Sequence, residues 1–388
     1  MSIPLMRLLM QSLTHIKEQS SAAEEEESLD DSQPLSGQGS VQDENLTRMM
    51  KIFSCRWRLV TYYLTMKNKR NMEMPDVNNL TDIKEFVLLG FQGSSQLRIV
   101  LFCVLLVIFL VTIYGNLLII TLVSTSRNLH TPMYFFISQL SISDILLISD
   151  IAPNILYILM NKGGTIAFIG CMTQIYFFSA TESFECLLLT VMCYDRYVAI
   201  CNPLRYTSIM TSGNCVILSI SSWLLSFFAS LIYIIIISRL KFCGSNVIDH
   251  LFCDLVPLQD IACSDTFPVK LQMYLLGIPL LIISSIIFVD SYVKIIRAIL
   301  QISSNISRQK AFSTCSSHLT VVSIFYTTLF SVYMLPKSEQ TSDINKITSL
   351  QYTVFTPLIN PIIYSFRNKD IKGNLRLPKC FFKWQARL

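Results

Sequence analysis

The chain has 388 residues, 52% of them hydrophobic and only 15% charged, with a formal net charge of +5. A soluble chain of this length carries about a quarter charged residues, so a water-soluble globular fold is excluded for most of it. The deficit lies after residue 98, where uncharged runs of about 20 residues, enough to cross a bilayer as helices, succeed one another.

Residues 1–73 do not share that character. Glu24–Glu27 with Asp30 and Asp31 form an acidic, Ser-rich patch that cannot bury a core. From Arg48 to Arg70 the chain is basic, with Trp57, Tyr62 and Tyr63 interleaved. The composition fits a disordered N-terminal extension; contact with a membrane surface or nucleic acid is the other reading of the basic stretch. Ile3–Met10 is too short, and too interrupted by Pro4 and Arg7, for a signal peptide. Residues 74–98 read as an extracellular tail.

Seven spans follow: Ile99–Val123, Met133–Met160, Cys171–Tyr194, Cys215–Ile237, Leu271–Val289, Ala311–Leu335 and Ile347–Phe366. The second carries Asp144 and Asp150, and the third carries Glu182 and Glu185. The predicted fold is an all-α, seven-transmembrane helix bundle over residues 99–366, with a tail over 367–388.

Lys and Arg near the spans set the orientation. One side holds Arg127, Arg196, Arg205, Lys294, Arg297, Arg308, Lys310 and the basic residues between Arg367 and Arg387. The other holds only Lys162, Arg239, Lys241, Lys270, Lys337 and Lys346. The N-terminus is therefore expected to be extracellular and the C-terminus cytoplasmic, in a multi-pass protein of the plasma membrane. The net positive charge follows from this sidedness and gives no argument for nucleic acid. Asn79-Leu80-Thr81 and Asn45-Leu46-Thr47 are N-glycosylation acceptors on the outer side, whereas Asn305-Ile306-Ser307 falls inside.

Cys171, Cys243, Cys253 and Cys263 lie on the outer side, where an oxidising exterior favours disulfides. Four cysteines allow three pairings, and spacing does not choose among them. Cys380, among Lys379, Phe381 and Phe382, is a candidate for palmitoylation, with an unmodified tail cysteine as the alternative.

At about 100° per residue, Cys171, Phe178, Glu182, Glu185, Leu189 and Arg196 share one stripe of the third span. A stripe with two acids and an arginine must face the bundle interior, because lipid does not tolerate it. It links an outer site to an inner charge pair, Asp195-Arg196.

That pair sits in Met192-Cys193-Tyr194-Asp195-Arg196-Tyr197-Val198-Ala199-Ile200-Cys201, whose wording resembles that of the olfactory receptors, a branch of the rhodopsin-like G-protein-coupled receptors. The resemblance extends in order through Glu85–Gly90, Gly115-Asn116, Leu129–Phe136 with Leu140–Asp144, Lys310–Leu319, and Pro357–Asn368. It covers about residues 74–376. Departures are Thr327, where the family usually has glycine, and Cys193, where alanine is usual.

The resemblance implies the pairings Cys171–Cys253 and Cys243–Cys263. It implies a switch and G-protein-coupling set of Asp195, Arg196, Tyr197, Tyr292, His318, Asn360, Pro361 and Tyr364, with Asn360-Pro361 as a kink. Asp144, Glu185, Asn116 and Asn360 resemble a polar cluster able to hold a sodium ion, a hard cation suited to oxygen ligands; a protonated, hydrogen-bonded carboxyl without an ion is the alternative. No other cofactor is expected.

By the same alignment the outer half of the bundle forms a ligand pocket. Phe178, Ser179, Glu182, Ser183, Leu276, Leu280, Tyr326, Leu329, Phe330, Tyr333 and Thr353 would line it. This mostly apolar lining suits a small odorant. Glu182 is suited to a protonated amine, with Asp150 assisting; the alternative is a neutral Glu182, or one bound to Ser179 or another hydroxyl. The implied activity is an odorant receptor that activates a heterotrimeric stimulatory G protein of the olfactory type and raises cAMP.

An enzyme is not expected, because no nucleophile–base pair, zinc-spaced ligand set or phosphate-binding glycine loop is present. A transporter or channel would be expected to show internal repeats and paired broken helices, and neither is found. An amine or lipid receptor outside the olfactory branch is the remaining alternative, favoured only by Glu182.

Overall fold

A computed structural model describes residues 83–242, 245–334 and 342–367. In chain order its long helices are α1 Ser95–Thr125, α2 Pro132–Asn161, α3 Phe168–Cys201, α4 Ser212–Ile237, α5 Phe267–Gln301, α6 Asn305–Met334 and α7 over residues 342–367. Each corresponds to one predicted span, so the seven-helix bundle stands. α1, α2, α4 and α5 are each long and apolar enough to cross a membrane. α3 owes its lower hydropathy to the acids and arginine of its inner stripe.

Several helices outrun their apolar cores. α3 continues past Tyr194 to Cys201, and α5 past Val289 to Gln301. The added part of α5 is amphipathic: Tyr292, Ile295 and Ile299 are buried, while Asp290 and Lys294 pair at 3.2 Å near its surface. Ends of this kind can project into the interface, where charge is tolerated.

Local chemistry sets the helix ends. The Ser94 and Thr211 hydroxyls each accept a backbone N–H, from Leu97 and Asn214 at 3.3 Å, and cap α1 and α4. Pro132 opens α2, where its missing N–H costs nothing. α2 stops at Lys162, in the left-handed region at φ 59°, followed by Gly163 at φ 120°. A Cβ on Gly163 would also meet the Leu88 carbonyl at 3.0 Å.

The all-helical expectation overlooks a small sheet at the end of the bundle that carries Cys171. β1 Glu85–Leu88 pairs antiparallel with β2 Gly164–Ala167 and parallel with β3 Val247–Ile248. The alternation in β1 explains its place: Phe86 and Leu88 are buried, while Glu85 and Val87 point away. Phe86 packs edge-on against Phe242, with centroids 5.3 Å apart. The tail segment before α1 and the loop after α4 are thereby tied together over the bundle end.

α3 packs against α2, α4 and α5, and α7 against α1, α2 and α6. Phe184 of α3 stacks on Trp223 of α4 at 3.7 Å. The Trp223 indole N–H and the Ser219 hydroxyl both donate to Gln139 Oε1 on α2, at 3.3 and 3.2 Å. α1 meets α7 closely at Gly115, where a Cβ would come within 3.2 Å of the Pro361 Cβ. Large apolar side chains such as Val107, Leu110 and Leu117 face outwards, while Asn116, Asp144 and Glu185 are buried. That inversion is what a bilayer requires.

Candidate functional site

At the inner end of α3, Asp195 and Arg196 form a buried ion pair. Arg196 Nε donates to Asp195 Oδ2 at 2.8 Å, and its Nη2 donates to the same oxygen. The second carboxylate oxygen accepts the Tyr206 hydroxyl at 2.9 Å. Tyr206 lies on the short helix Pro203–Ile209. Burial and the neighbouring Asp195 push its phenol well above the usual range. Sequence reasoning missed Tyr206, because a tyrosine in a loop carries no signal of its own.

Two further contacts close this end. The Tyr292 hydroxyl of α5 lies 2.6 Å from His318 Nδ1 of α6, both groups being buried. Lys294 of α5 sits 5.7 Å from the Tyr197 ring centre. Tyr364 is buried, and its hydroxyl has no partner among the described residues.

In the middle of the bundle, Asn360 donates its amide to both Asp144 oxygens, at 3.0 and 3.2 Å. Asn116 donates to the Thr112 and Pro357 carbonyls at 3.1 and 3.3 Å, linking α1 to α7 beside Pro361. Glu185 Oε1 and Asn116 Oδ1 are buried oxygens without a partner among the described residues. Among those residues no three His, Cys, Asp or Glu side chains gather as a metal-ligand set. What a cation would meet here is two carboxylates and amide oxygens.

At the outer end, Cys171 of α3 is bonded to Cys253, with Cα atoms 5.4 Å apart. Gln174, one turn below Cys171, fixes the loop further: its Oε1 accepts the Cys253 N–H at 2.9 Å and its Nε2 donates to the Asp150 carbonyl at 3.0 Å. Lys346 of α7 is buried and bridges Asp249 of the loop at 2.6 Å and Asp343 at 3.4 Å. His250 Nε2 lies 3.1 Å from the Ser349 hydroxyl and Nδ1 lies 3.1 Å from the Phe252 carbonyl. Phe252 enters the bundle against Phe178 of α3, which in turn meets Tyr352 of α7, with ring centres 6.0 and 5.7 Å apart.

The expected pocket residues do not share one environment. Phe178, Tyr326 and Thr353 are buried, and Ser179, Glu182, Ser183, Leu280, Leu329 and Phe330 are partly buried. Tyr326 stacks on Phe288 at 5.6 Å, and its hydroxyl lies 3.9 Å from Cys186 Sγ, which is 3.2 Å from the Ser284 hydroxyl. Leu276 is 48% exposed, in the π-helical turn Met273–Gly277 that has no buried residue. Ser179 donates to the Tyr176 carbonyl at 3.1 Å rather than to Glu182.

The side chain of Tyr333, together with Cys243, Cys380, Asn45 and Asn79, lies outside the described residues. Cys186, Ser284, Phe252, Tyr352 and Lys346 were not anticipated. A cysteine or serine inside an apolar run reads as packing, and the loop residues become site residues only once the disulfide places them.

Seven long helices with an apolar outward face, a disulfide tying the loop to one end of α3 and a buried Asp195-Arg196 pair at the other, are the architecture of a multi-pass membrane protein of the seven-helix class. The olfactory receptor family profile matches residues 102–380. Olfactory receptor 5G9 of Mus musculus is 45% identical over 295 residues, covering 76% of this chain and 94% of its own. Olfactory receptor 6B9 of Mus musculus is 44% identical over 300 residues, 77% and 95% of the two chains. Olfactory receptor 11L1 of Homo sapiens is 43% identical over 311 residues, 79% and 97%. The chain belongs to the olfactory receptor family, and it is not an enzyme.

Proposed function

We propose that this receptor binds a small, mostly apolar odorant in the outer half of the bundle and activates a stimulatory G protein, raising cAMP. The observation that carries the reading is α3 itself. Its outer end is tied by Cys171–Cys253, its middle presents partly open side chains at Ser179, Glu182 and Ser183, and its inner end holds Arg196 on Asp195. An odorant that binds more tightly when the inner end is open shifts the population that way. Arg196 is then free for the G protein, with Tyr197, Tyr292, His318, Asn360, Pro361 and Tyr364 rearranging around it.

Asp144, Glu185, Asn116 and Asn360 would hold a sodium ion in the resting arrangement, where its positive charge would satisfy the unpartnered Glu185 and Asn116 oxygens. The test is cAMP in cells expressing the full chain, exposed to volatile acids, alcohols, esters and amines beside Arg196→Ala. A ligand-dependent rise that disappears in Arg196→Ala at equal surface expression is expected. A response carried by solute or ion flux, with cAMP unchanged, would overturn the coupling.

A further inference from the structure

Resting on the pocket reading above, we infer that the odorant is a small amine whose ammonium group seats on Glu182, beneath the buried rings of Phe178 and Tyr352. Glu182 is partly buried, on the same inward stripe of α3 as the buried Phe178 and Glu185. No hydrogen bond or ion pair reaches its carboxylate from the described residues. The hydroxyl nearest in sequence, Ser179, is committed to the Tyr176 carbonyl.

Nor do the described residues supply a cation. The buried Lys and Arg side chains among the described residues are Arg196 and Lys346, each already paired with aspartate. Glu185, one turn further along the same stripe, is 1% exposed, and its Oε1 is likewise without a partner. Glu182 is thus an acid for which the described residues provide no cation, and in a low-dielectric interior an ammonium guest can supply one.

The chemistry above Glu182 suits the same guest. Phe178 stands one turn nearer the outer end, and its ring centre lies 5.7 Å from Tyr352 and 6.0 Å from Phe252. Aromatic faces attract an ammonium through their quadrupole, and more strongly where water is excluded. Leu280, Leu329 and Phe330, partly buried against the core, offer apolar surface for a hydrocarbon body. Carboxylate, rings and apolar wall together select for charge at one end of a small molecule.

The experiment compares isosteric pairs on the full-length receptor: isopentylamine with isopentyl alcohol, and cyclohexylamine with cyclohexanol, read as cAMP. The wild type is expected to respond to the amines at lower concentration than to the alcohols. In Glu182→Gln, at verified surface expression, the amine-to-alcohol potency ratio should fall about tenfold or more, as for a desolvated charge pair. Glu182→Asp should keep part of the preference. The ratio is internal to each variant, and the wild-type pairs need no variant.

Alcohols matching or exceeding amines in the wild type overturn the amine assignment and leave the odorant-receptor reading intact. An amine preference that survives Glu182→Gln overturns the role of Glu182. Silence towards both amines at a surface-expressed receptor also overturns the assignment; the odorant-receptor reading is then judged by the wider panel and Arg196→Ala.

Discussion

Asp195 is held on both sides, Arg196 donating to one carboxylate oxygen and the Tyr206 hydroxyl to the other. Tyr206→Phe removes one donor and keeps the ring, so the resting pair loses a hydrogen bond to a charged group, worth about 1.5–3 kcal/mol at most. Agonist-independent cAMP should rise several-fold at equal surface expression, and an unchanged basal level would show that Tyr206 takes no part in the lock. The Asp195-Arg196 pair was legible in the sequence because charge at the end of an apolar run is conspicuous. Tyr206 was not, since only the turn into Pro203–Ile209 brings it back to Asp195. The same division holds deeper in the bundle. Asp144 and Asn360 stood out and do pair, whereas the Cys186–Ser284–Tyr326 contact joins residues that each look like ordinary packing.

At the scale of elements, the spans were legible because hydropathy alone separates them, but the outer cap was not. β2 and β3 are too short to show a period, and β1 becomes a strand only because its neighbours exist. The two π-helical turns, Met273–Gly277 and Gln351–Phe355, leave no mark in composition either. The cap gives an asymmetric prediction. Lys346 has a side chain 2% exposed, while that of its partner Asp249 is 45% exposed. Asp249→Asn leaves a buried ammonium with the longer contact to Asp343 and the Phe91 ring 5.9 Å away. Lys346→Met removes the buried charge and leaves two carboxylates able to reach water. Breaking a buried pair from the side that strands the charge is the costlier change, by up to about 3–5 kcal/mol. Asp249→Asn should therefore lower surface expression and expose the loop to protease more than Lys346→Met does, and the reverse order would show that the pair is not what holds the loop to α7.

At the scale of the whole molecule, the outward face is apolar and the interior polar, so the same substitution has opposite meaning on the two sides. α1 shows this most clearly. Its buried face holds Asn116 and Thr112, tied to α7 through the Pro357 carbonyl, while Leu110 is 56% exposed near the middle of the helix. In a soluble protein an exposed leucine replaced by aspartate would be harmless or helpful. Here Leu110 meets lipid, and an aspartate near the centre of a spanning helix costs about 2.5–3.5 kcal/mol on insertion. Leu110→Asp should reduce membrane integration and surface expression sharply, while Leu110→Val changes neither. Normal integration of Leu110→Asp would mean that this face of α1 is covered by protein or reached by water. The sequence could not separate the two faces of α1, since the helix is apolar nearly all round; only packing against α2 and α7 shows which side meets the lipid.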